Sequence, residues 1–464
     1  MAFGLGKKKK GKDLSIIIVG CGKVGKTLVE RLEREGHDVT IIDKDPEKIT
    51  RIMNNYDVMG IVGNGADYNV LMEAGVEQAD VLIAVTGSDE LNLLCCVVGD
   101  RFGNCDVIAR VRTPDYSDET NYLKEKLELA MIINPEREAA ESIARILYMP
   151  TALEVESFAG GKAELVRLKL PSGNILEGKR IAELSKELTG AVLICAVERD
   201  GEIYIPGGNF CFERGDVISF ISPMKESKKF LNRLGFQTRQ VKDSIIVGGG
   251  RSAYYLGKLL SGMGISNKIV ERDLKRCDEL SVLLPDSIII SGNGSDEDLL
   301  KEIGIEHTES FVALTGIDEE NILLTLYAQS VSDAKVVTKI NRITFSEVID
   351  NLDLGSVIFQ KYNTTEKIVA FIRAKKASMD SNIETMHHLF DDRVEAIEFK
   401  IEHESKVTNK TLTELQIKDH VLITCIHRDG KILIPGGSDE IRVGDSVIIV
   451  TTHLGFSDIQ DILK

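Results

Sequence analysis

Residues 17–25 read IIVGCGKVG, a β-branched run followed by glycines at 20, 22 and 25. A strand that ends in glycines and turns into a helix aims free backbone N–H groups at one spot. Those donors, with the helix dipole, favour an anion there. Gly20 permits the tight turn, Gly22 lets a phosphate approach the backbone, and Gly25 lets the helix lie close on the sheet. Asp43 follows 23 residues after Gly20, at the end of the next β-branched run, VTIIDKD (39–45). A carboxylate there can accept ribose hydroxyls and repels a 2′-phosphate. That repulsion is worth roughly 1–4 kcal/mol at about 4 Å, so about ten- to several-hundredfold in affinity. NAD(H), ATP and ADP fit such a pocket and NADP does not.

The stretch occurs twice. IIVGGGRSA (245–253) repeats it, with Gly248 standing 228 residues after Gly20 and Ala253 replacing Gly25. Asp43 matches Glu271 at the same offset, GNGAD (63–67) matches GNGSD (292–296), and AVTGSDELNLL (84–94) matches ALTGIDEENIL (313–323). ERDGEIYIPGG (198–208) pairs with HRDGKILIPGG (427–437). One duplicated unit of about 230 residues accounts for the chain, as fixed-period self-similarity implies. Within each unit, β-branched runs alternate with amphipathic stretches, which predicts a doubly wound parallel sheet. Behind it the texture turns to apolar–polar alternation with an Asp-Gly hairpin signal at 200–201 and 429–430, predicting a small α+β lobe.

The chain has 464 residues, 43% hydrophobic and 5% aromatic, without Trp, and a net charge of -16. A surface that tracks nucleic acid needs cations and stacking rings, so nucleic acid is excluded as a partner. The eight cysteines show no CxxC pair and no zinc spacing, and Cys21, Cys195 and Cys425 sit in apolar runs. Reduced core thiols and an intracellular setting follow. No apolar run reaches the ~18–20 residues that span a bilayer.

Thr86-Gly87 and Thr315-Gly316 end strands at the mouth of the predicted crevice. Arg110 and Arg112 end the next strand (IARVR), within reach of terminal phosphates or in surface ion pairs; the second half has Lys339 and Asn341 there. The eight histidines occupy no matched positions. His387-His388 raises a metal site, but neighbouring residues on one element point apart and no carboxylate pattern completes it. GxSxG, the P-loop and HExxH are all missing. A hydride-transfer enzyme needs an acid or base beside its cofactor, and none is signalled. The expectation is a sensor and not an enzyme, with no catalytic and no metal-binding residues. An NAD-dependent oxidoreductase and a stand-alone nucleotide sensor of another transporter remain as alternatives.

The tandem pattern VGCGKVG…IIDKD…GNGAD…AVTGSDE…IARVR, each time followed by a small lobe, resembles the RCK/KTN family of regulatory subunits of Trk-type potassium uptake, over residues 14 to 464. The resemblance implies a basic tail (1–13), nucleotide lobes at 14–149 and 243–375, and C-terminal lobes at 150–236 and 376–464. It places first-site contacts on Gly20, Cys21, Gly22, Lys23, Val24, Gly25, Asp43, Thr86, Gly87 and Arg110. Second-site contacts fall on Gly248, Gly249, Gly250, Arg251, Ser252, Glu271, Thr315 and Gly316. It further implies NAD(H) or ATP/ADP as ligands, a separate membrane potassium-translocating partner, a position on the cytoplasmic face of the membrane, and a homotetrameric ring. The stretches 137–147 and 365–374 are then either lobe-pairing helices or core helices within each lobe. The lysines at 7–10 and 12 are either a solvated tail or a contact to an anionic bilayer.

Overall fold

A computed structural model describes residues 13–117, 120–184, 191–236, 238–341, 352, 354–376, 381–390 and 393–464. The lysine run at 7–12 lies outside them. The first parallel sheet comprises β1 (Ser15–Val19), β2 (Asp38–Asp43), β3 (Met59–Val62), β4 (Val81–Ala84), β5 (Asp106–Arg110) and β6 (Met131–Ile133). Its strand order is β3-β2-β1-β4-β5-β6. The order reverses between β1 and β4, which opens the crevice that dinucleotides use in this architecture. Ile16–Val19 are buried, as strands covered by helices on both faces require.

An antiparallel sheet follows: β7 (Glu154–Phe158), β8 (Ala163–Lys169), β9 (Leu193–Arg199), β10 (Glu202–Tyr204) and β11 (Val217–Pro223), in the order β10-β9-β11-β8-β7. The second half repeats both. β12 (Asp243–Val247), β13 (Ser266–Glu271), β14 (Ile288–Ser291), β15 (Ser310–Ala313), β16 (Lys335–Lys339) and β17 (Ser356–Ile358) form the parallel sheet. β18 (Ser381–Leu389), β19 (Val394–Ile401), β20 (Val421–Arg428), β21 (Lys431–Leu433) and β22 (Ser446–Thr451) form the antiparallel one. Both hairpins turn on a left-handed pair, Asp200-Gly201 (φ 50° and 79°) and Asp429-Gly430 (φ 49° and 76°). The arginine before each turn grips the far strand bidentately: Arg199 holds Asp216 at 2.7 and 2.8 Å, and Arg428 holds Asp445 at 2.7 Å through both nitrogens.

The helix Lys23–Arg34 buries Val24, Leu28, Val29 and Leu32 on one stripe, the spacing that an amphipathic helix needs. It stops at Gly36, whose φ of +81° closes the C-terminus. The sequence left two roles open for the later helices, and the structure joins the lobes with them. Pro135–Tyr148 packs through Ala139, Ala140, Ile143 and Leu147 against Ala253, Leu256 and Leu260 of the second half's first helix, Arg251–Gly262. Gln360–Lys376 reciprocates against Lys23–Arg34, and the two crossing helices also touch each other. The antiparallel sheets pack face to face through Phe158, Leu165, Cys195, Val394, Cys425 and Ile448. Among the described residues no helix is long and apolar enough to cross a membrane. All eight cysteines are free, seven of them buried.

Candidate nucleotide sites

Each glycine loop begins in the left-handed region, Gly20 at φ +111° and Gly248 at φ +104°. A Cβ on Gly20 would lie 3.0 Å from the Thr86 amide nitrogen, and one on Gly248 2.9 Å from the Leu314 carbonyl carbon. The loops therefore back directly onto the turns that carry Thr86-Gly87 and Thr315-Gly316. A Cβ on Gly25 would stand 1.9 Å from the Gly20 carbonyl oxygen, so helix and loop touch there. Ala253 fills the corresponding place in the second half and is fully buried. At Gly22, Gly87, Gly250 and Gly316 a Cβ would meet none of the described heavy atoms within 4 Å. Those four open onto the crevice.

The loop helices differ from their neighbours in lacking both a side-chain cap and a first-turn acid; Met224–Arg233 and Asp318–Val331 lack the cap but carry acids there. Asp45, Asp67, Ser88, Asn134, Asp273 and Asp296 cap their own helices with side-chain oxygens. Lys23–Arg34 and Arg251–Gly262 begin at Gly22 and Gly250 with no side-chain cap and no acid in the first turn. Their orphan amides face the open glycines, which is the geometry that holds a phosphate. Val24 and Ser252 are buried, so they offer backbone rather than side chains. Lys23 and Arg251 are exposed.

The acids serve the loop first. Asp43 accepts from the Cys21 amide at 2.7 Å and the Asp45 amide at 3.0 Å. Glu271 accepts from Gly249 at 2.7 Å and Asp273 at 2.8 Å. Each carboxylate is thus fixed at the β2 or β13 end while keeping lone pairs for a ligand. A Cβ on Gly249 would lie 2.8 Å from Leu280 Cδ1 and 2.9 Å from both Cβ and Oε2 of Glu271. Asp43 leaves room for Cys21. Burial, with Asp43 beside it, pushes the Cys21 thiol up to about 12. Arg276 reaches back to the Gly249 carbonyl at 2.8 Å, a contact that the sequence did not announce.

Asn92 and Asn321 also escaped the sequence reading, although both stand in the repeated TG-x-D-E-x-N stretch. The Asn92 side chain accepts from the Thr86 amide (2.8 Å) and hydroxyl (2.7 Å) and donates to the Arg110 carbonyl (2.8 Å). Asn321 does the same for Thr315 and Lys339. Each asparagine ties the crevice wall to the strand behind it.

Arg112 is spent on structure: it pairs with buried Asp89 at 3.3 Å and donates to the Gly87 carbonyl. Burial alone would raise the Asp89 carboxyl, but hydrogen bonds from Arg112 and Thr113 hold it below the ordinary value. Asn341 likewise serves Asp318, at 2.9 Å. Arg110 and Lys339 keep the crevice positions. Arg110 donates to the Thr86 carbonyl and Lys339 to the Leu314 carbonyl. Burial, then Arg112, brings Arg110 down to about 10; Glu136 and Asp89 oppose, and Arg251 of the second loop adds to the fall. Burial likewise lowers Lys339, against Glu136 and Asp318, with Lys23 of the first loop adding to it. Each floor cation therefore feels the cation at the head of the other half's loop helix, with Glu136 near both. Arg110 Nε and Glu136 Oε2 are buried without a hydrogen-bond partner among the described residues. Tyr255 closes the contact, donating to the Arg112 carbonyl (2.8 Å) and accepting from Asn134 (3.0 Å).

His387 lies 3.3 Å from Glu156 and His388 3.3 Å from Glu395. Glu366 lies 3.8 Å from His387 and 3.4 Å from His388, inside an ion network between lobes. Among the described residues no group of three or more His, Cys, Asp or Glu is placed to hold a metal.

The fold and the paired cradles define the class: a duplicated Rossmann protein of the dinucleotide-binding type, each copy trailed by an antiparallel lobe. The TrkA-N domain matches residues 16–135 and 244–360, and the TrkA-C domain matches 165–235 and 396–464. The chain belongs to this TrkA family. It is 30% identical to the Trk system potassium uptake protein TrkA of Halomonas elongata, over 94% of this chain and 95% of that protein. It is also 30% identical to a TrkA homolog of Archaeoglobus fulgidus, over 97% of this chain and all of the other. Among solved structures, the GsuK channel bound to NAD shares the fold with a TM-score of 0.62 at 17% identity, covering 95% of this chain and 77% of that one.

Proposed function

We propose that the chain is the cytoplasmic regulatory subunit of a Trk-type potassium transporter, peripheral on the inner face of the membrane. It reads NAD(H) or ATP/ADP in its two Rossmann crevices and gates its partner through ligand-dependent changes of a homotetrameric ring. The observation that carries this reading is a contrast within one molecule. Six helices are capped by side chains and two uncapped ones, Met224–Arg233 and Asp318–Val331, carry acids in the first turn, while the two that follow the glycine loops have neither. They open on two crevices, one carrying Lys23 and Arg110 and the other Arg251 and Lys339, in a chain of net charge -16. The crevices are close enough for each floor cation to feel the other half's loop cation. The names of the relatives, potassium uptake proteins, and NAD- and ADP-bound GsuK support the same reading.

A bound nucleotide supplies concentrated negative charge and an adenosine ribose. The bare amides after Gly22 and Gly250 donate to the phosphates, and Asp43 and Glu271 select an unphosphorylated ribose. Arg110 and Lys339 meet charge at the strand ends. Pro135–Tyr148 and Gln360–Lys376 cross between lobes, so tightening either crevice moves the opposite half. A ligand shifts such an equilibrium only through its differential affinity for the two shapes, typically 1–3 kcal/mol.

The test is a calorimetric titration with NAD, NADH, ATP, ADP and NADPH on the wild type and on Asp43→Ala and Glu271→Ala, paired with potassium flux through the reconstituted partner. Each alanine variant should lose one site, and NADPH should bind at least tenfold more weakly than NADH. Catalytic consumption of NADH would turn the assignment to an oxidoreductase. Equal ATP and ADP effects on flux, unchanged in Arg110→Ala, would remove the gating mechanism.

A further inference from the structure

The duplication gives each junction between lobes an internal reference. Around Gln360–Lys376 the junction is filled with ions. Arg373 holds Glu35 at 3.0 Å and Glu395 at 2.9 Å, and His388 lies 3.3 Å from Glu395. Around Pro135–Tyr148 the matching positions carry Leu259 for Arg31, Met263 for Glu35 and Ser157 for His388. Strand register fixes the correspondence: Ser157 faces Glu164 across β7–β8 as His388 faces Glu395 across β18–β19. Stripped of those ions, the first junction holds a cavity of about 270 Å³, lined by Ala144, Arg145, Met149, Glu164, Leu259 and Met263 among others.

Glu164 is the residue left over. It is 5% exposed, lines the cavity, and its Oε2 has no hydrogen-bond partner among the described residues. Native folds rarely leave such an atom unmet unless a water or ligand meets it. Tyr148 stands where the second junction has Arg373, and the nearby Arg145 is turned to the Val155 carbonyl (3.0 Å) and Glu156 (3.5 Å). Where the second junction sets a guanidinium on Glu395, the first leaves Glu164 on a cavity wall shared with Met149, Leu259 and Met263. Burial raises the Glu164 pKa, with Ser227, Lys228 and Arg145 opposing more weakly.

We propose that this cavity binds a small organic cation, an amine with an apolar body whose ammonium meets Glu164 and so replaces the cation that the sister junction supplies from its own chain. The space sits near the lower end of ligand pockets, roughly 300–1,000 Å³, and opens past Tyr148 and Met224, 37% and 46% exposed. Its walls are a helix that starts at the second glycine loop and the first antiparallel lobe, so an occupant bridges them. The site stands apart from both nucleotide crevices and does not depend on that reading.

The experiment titrates n-hexylammonium into the full chain by saturation-transfer NMR, with n-hexanol and n-hexanoate as controls. Glu164→Gln and Ala144→Ile are compared, the latter filling the cavity from its wall. Circular dichroism and melting confirm that each is folded. Saturable binding of the amine is expected, weakened about ten- to hundredfold by Glu164→Gln and lost in Ala144→Ile, with hexanoate at least tenfold weaker. Absent or non-saturating binding, equal affinity for all three probes, or an amine affinity that both variants leave unchanged overturns the proposal.

Discussion

Gly25 and Ala253 hold the same step of the two loops yet face different constraints. With the Gly20 carbonyl oxygen 1.9 Å from where its Cβ would fall, Gly25→Ala must push the first helix off its loop. Overpacking of this kind costs about 1–3 kcal/mol. A lower melting temperature and loss of first-site binding by calorimetry are expected, whereas Ala253→Gly should leave the second site filled. The next pairing runs the other way. Cys21 coexists with Asp43, while Leu280 and Glu271 crowd Gly249 to 2.8 and 2.9 Å. Gly249→Ala should therefore weaken second-site nucleotide binding, and Cys21→Gly should not weaken the first. Equal effects of the two changes on their own sites would mean that crowding by Leu280 and Glu271 does not set this tolerance.

At the scale of elements, the Tyr255 hydroxyl joins the two halves alongside apolar helix faces and ion pairs. Tyr255 donates to one buried group and accepts from another, and losing a buried hydrogen-bond partner costs about 1–3 kcal/mol. Tyr255→Phe should lower unfolding free energy by that order in urea titration, with the nucleotide loops themselves unaltered. The strands and loops were legible in sequence because β-branched runs, glycines at fixed spacing and Asp-Gly turns are local signals. The destination of the helices Pro135–Tyr148 and Gln360–Lys376 was not. Periodicity reports that a helix has an apolar face, and says nothing about which half of the chain covers it. Arg276 escaped for a related reason, since its reach back to the Gly249 carbonyl depends on where the following helix lands. Asn92 and Asn321 could have been found: both sit in a quoted repeat, and a polar residue kept at a buried helix position signals a hydrogen-bonding duty.

Across the whole molecule, duplication built two junctions and electrified one of them. His388 is buried there between Glu366 and Glu395, with Arg31 only 3.2 Å away. Burial opposes its charge, but hydrogen bonds to the two glutamates outweigh that and raise its pKa from 6.5 to about 9. Glu395 moves the opposite way: burial would raise it, and His388 and Arg373 hold it below its ordinary value. A histidine raised on folding contributes stability that is whole below its unfolded pKa, 6.5, and is lost as pH climbs through about 9. A lowered carboxylate contributes above its unfolded value, 4.5, and loses that as pH falls. The junction should thus be firmest between 4.5 and 6.5 and loosen toward alkaline pH. The histidine's share is at most about 3 kcal/mol. Urea unfolding of the wild type from pH 6 to 10 should show that decline, and His388→Gln should be less stable at pH 6 and flatter above it. Parallel pH profiles for the two proteins would locate the alkaline loss elsewhere in the chain.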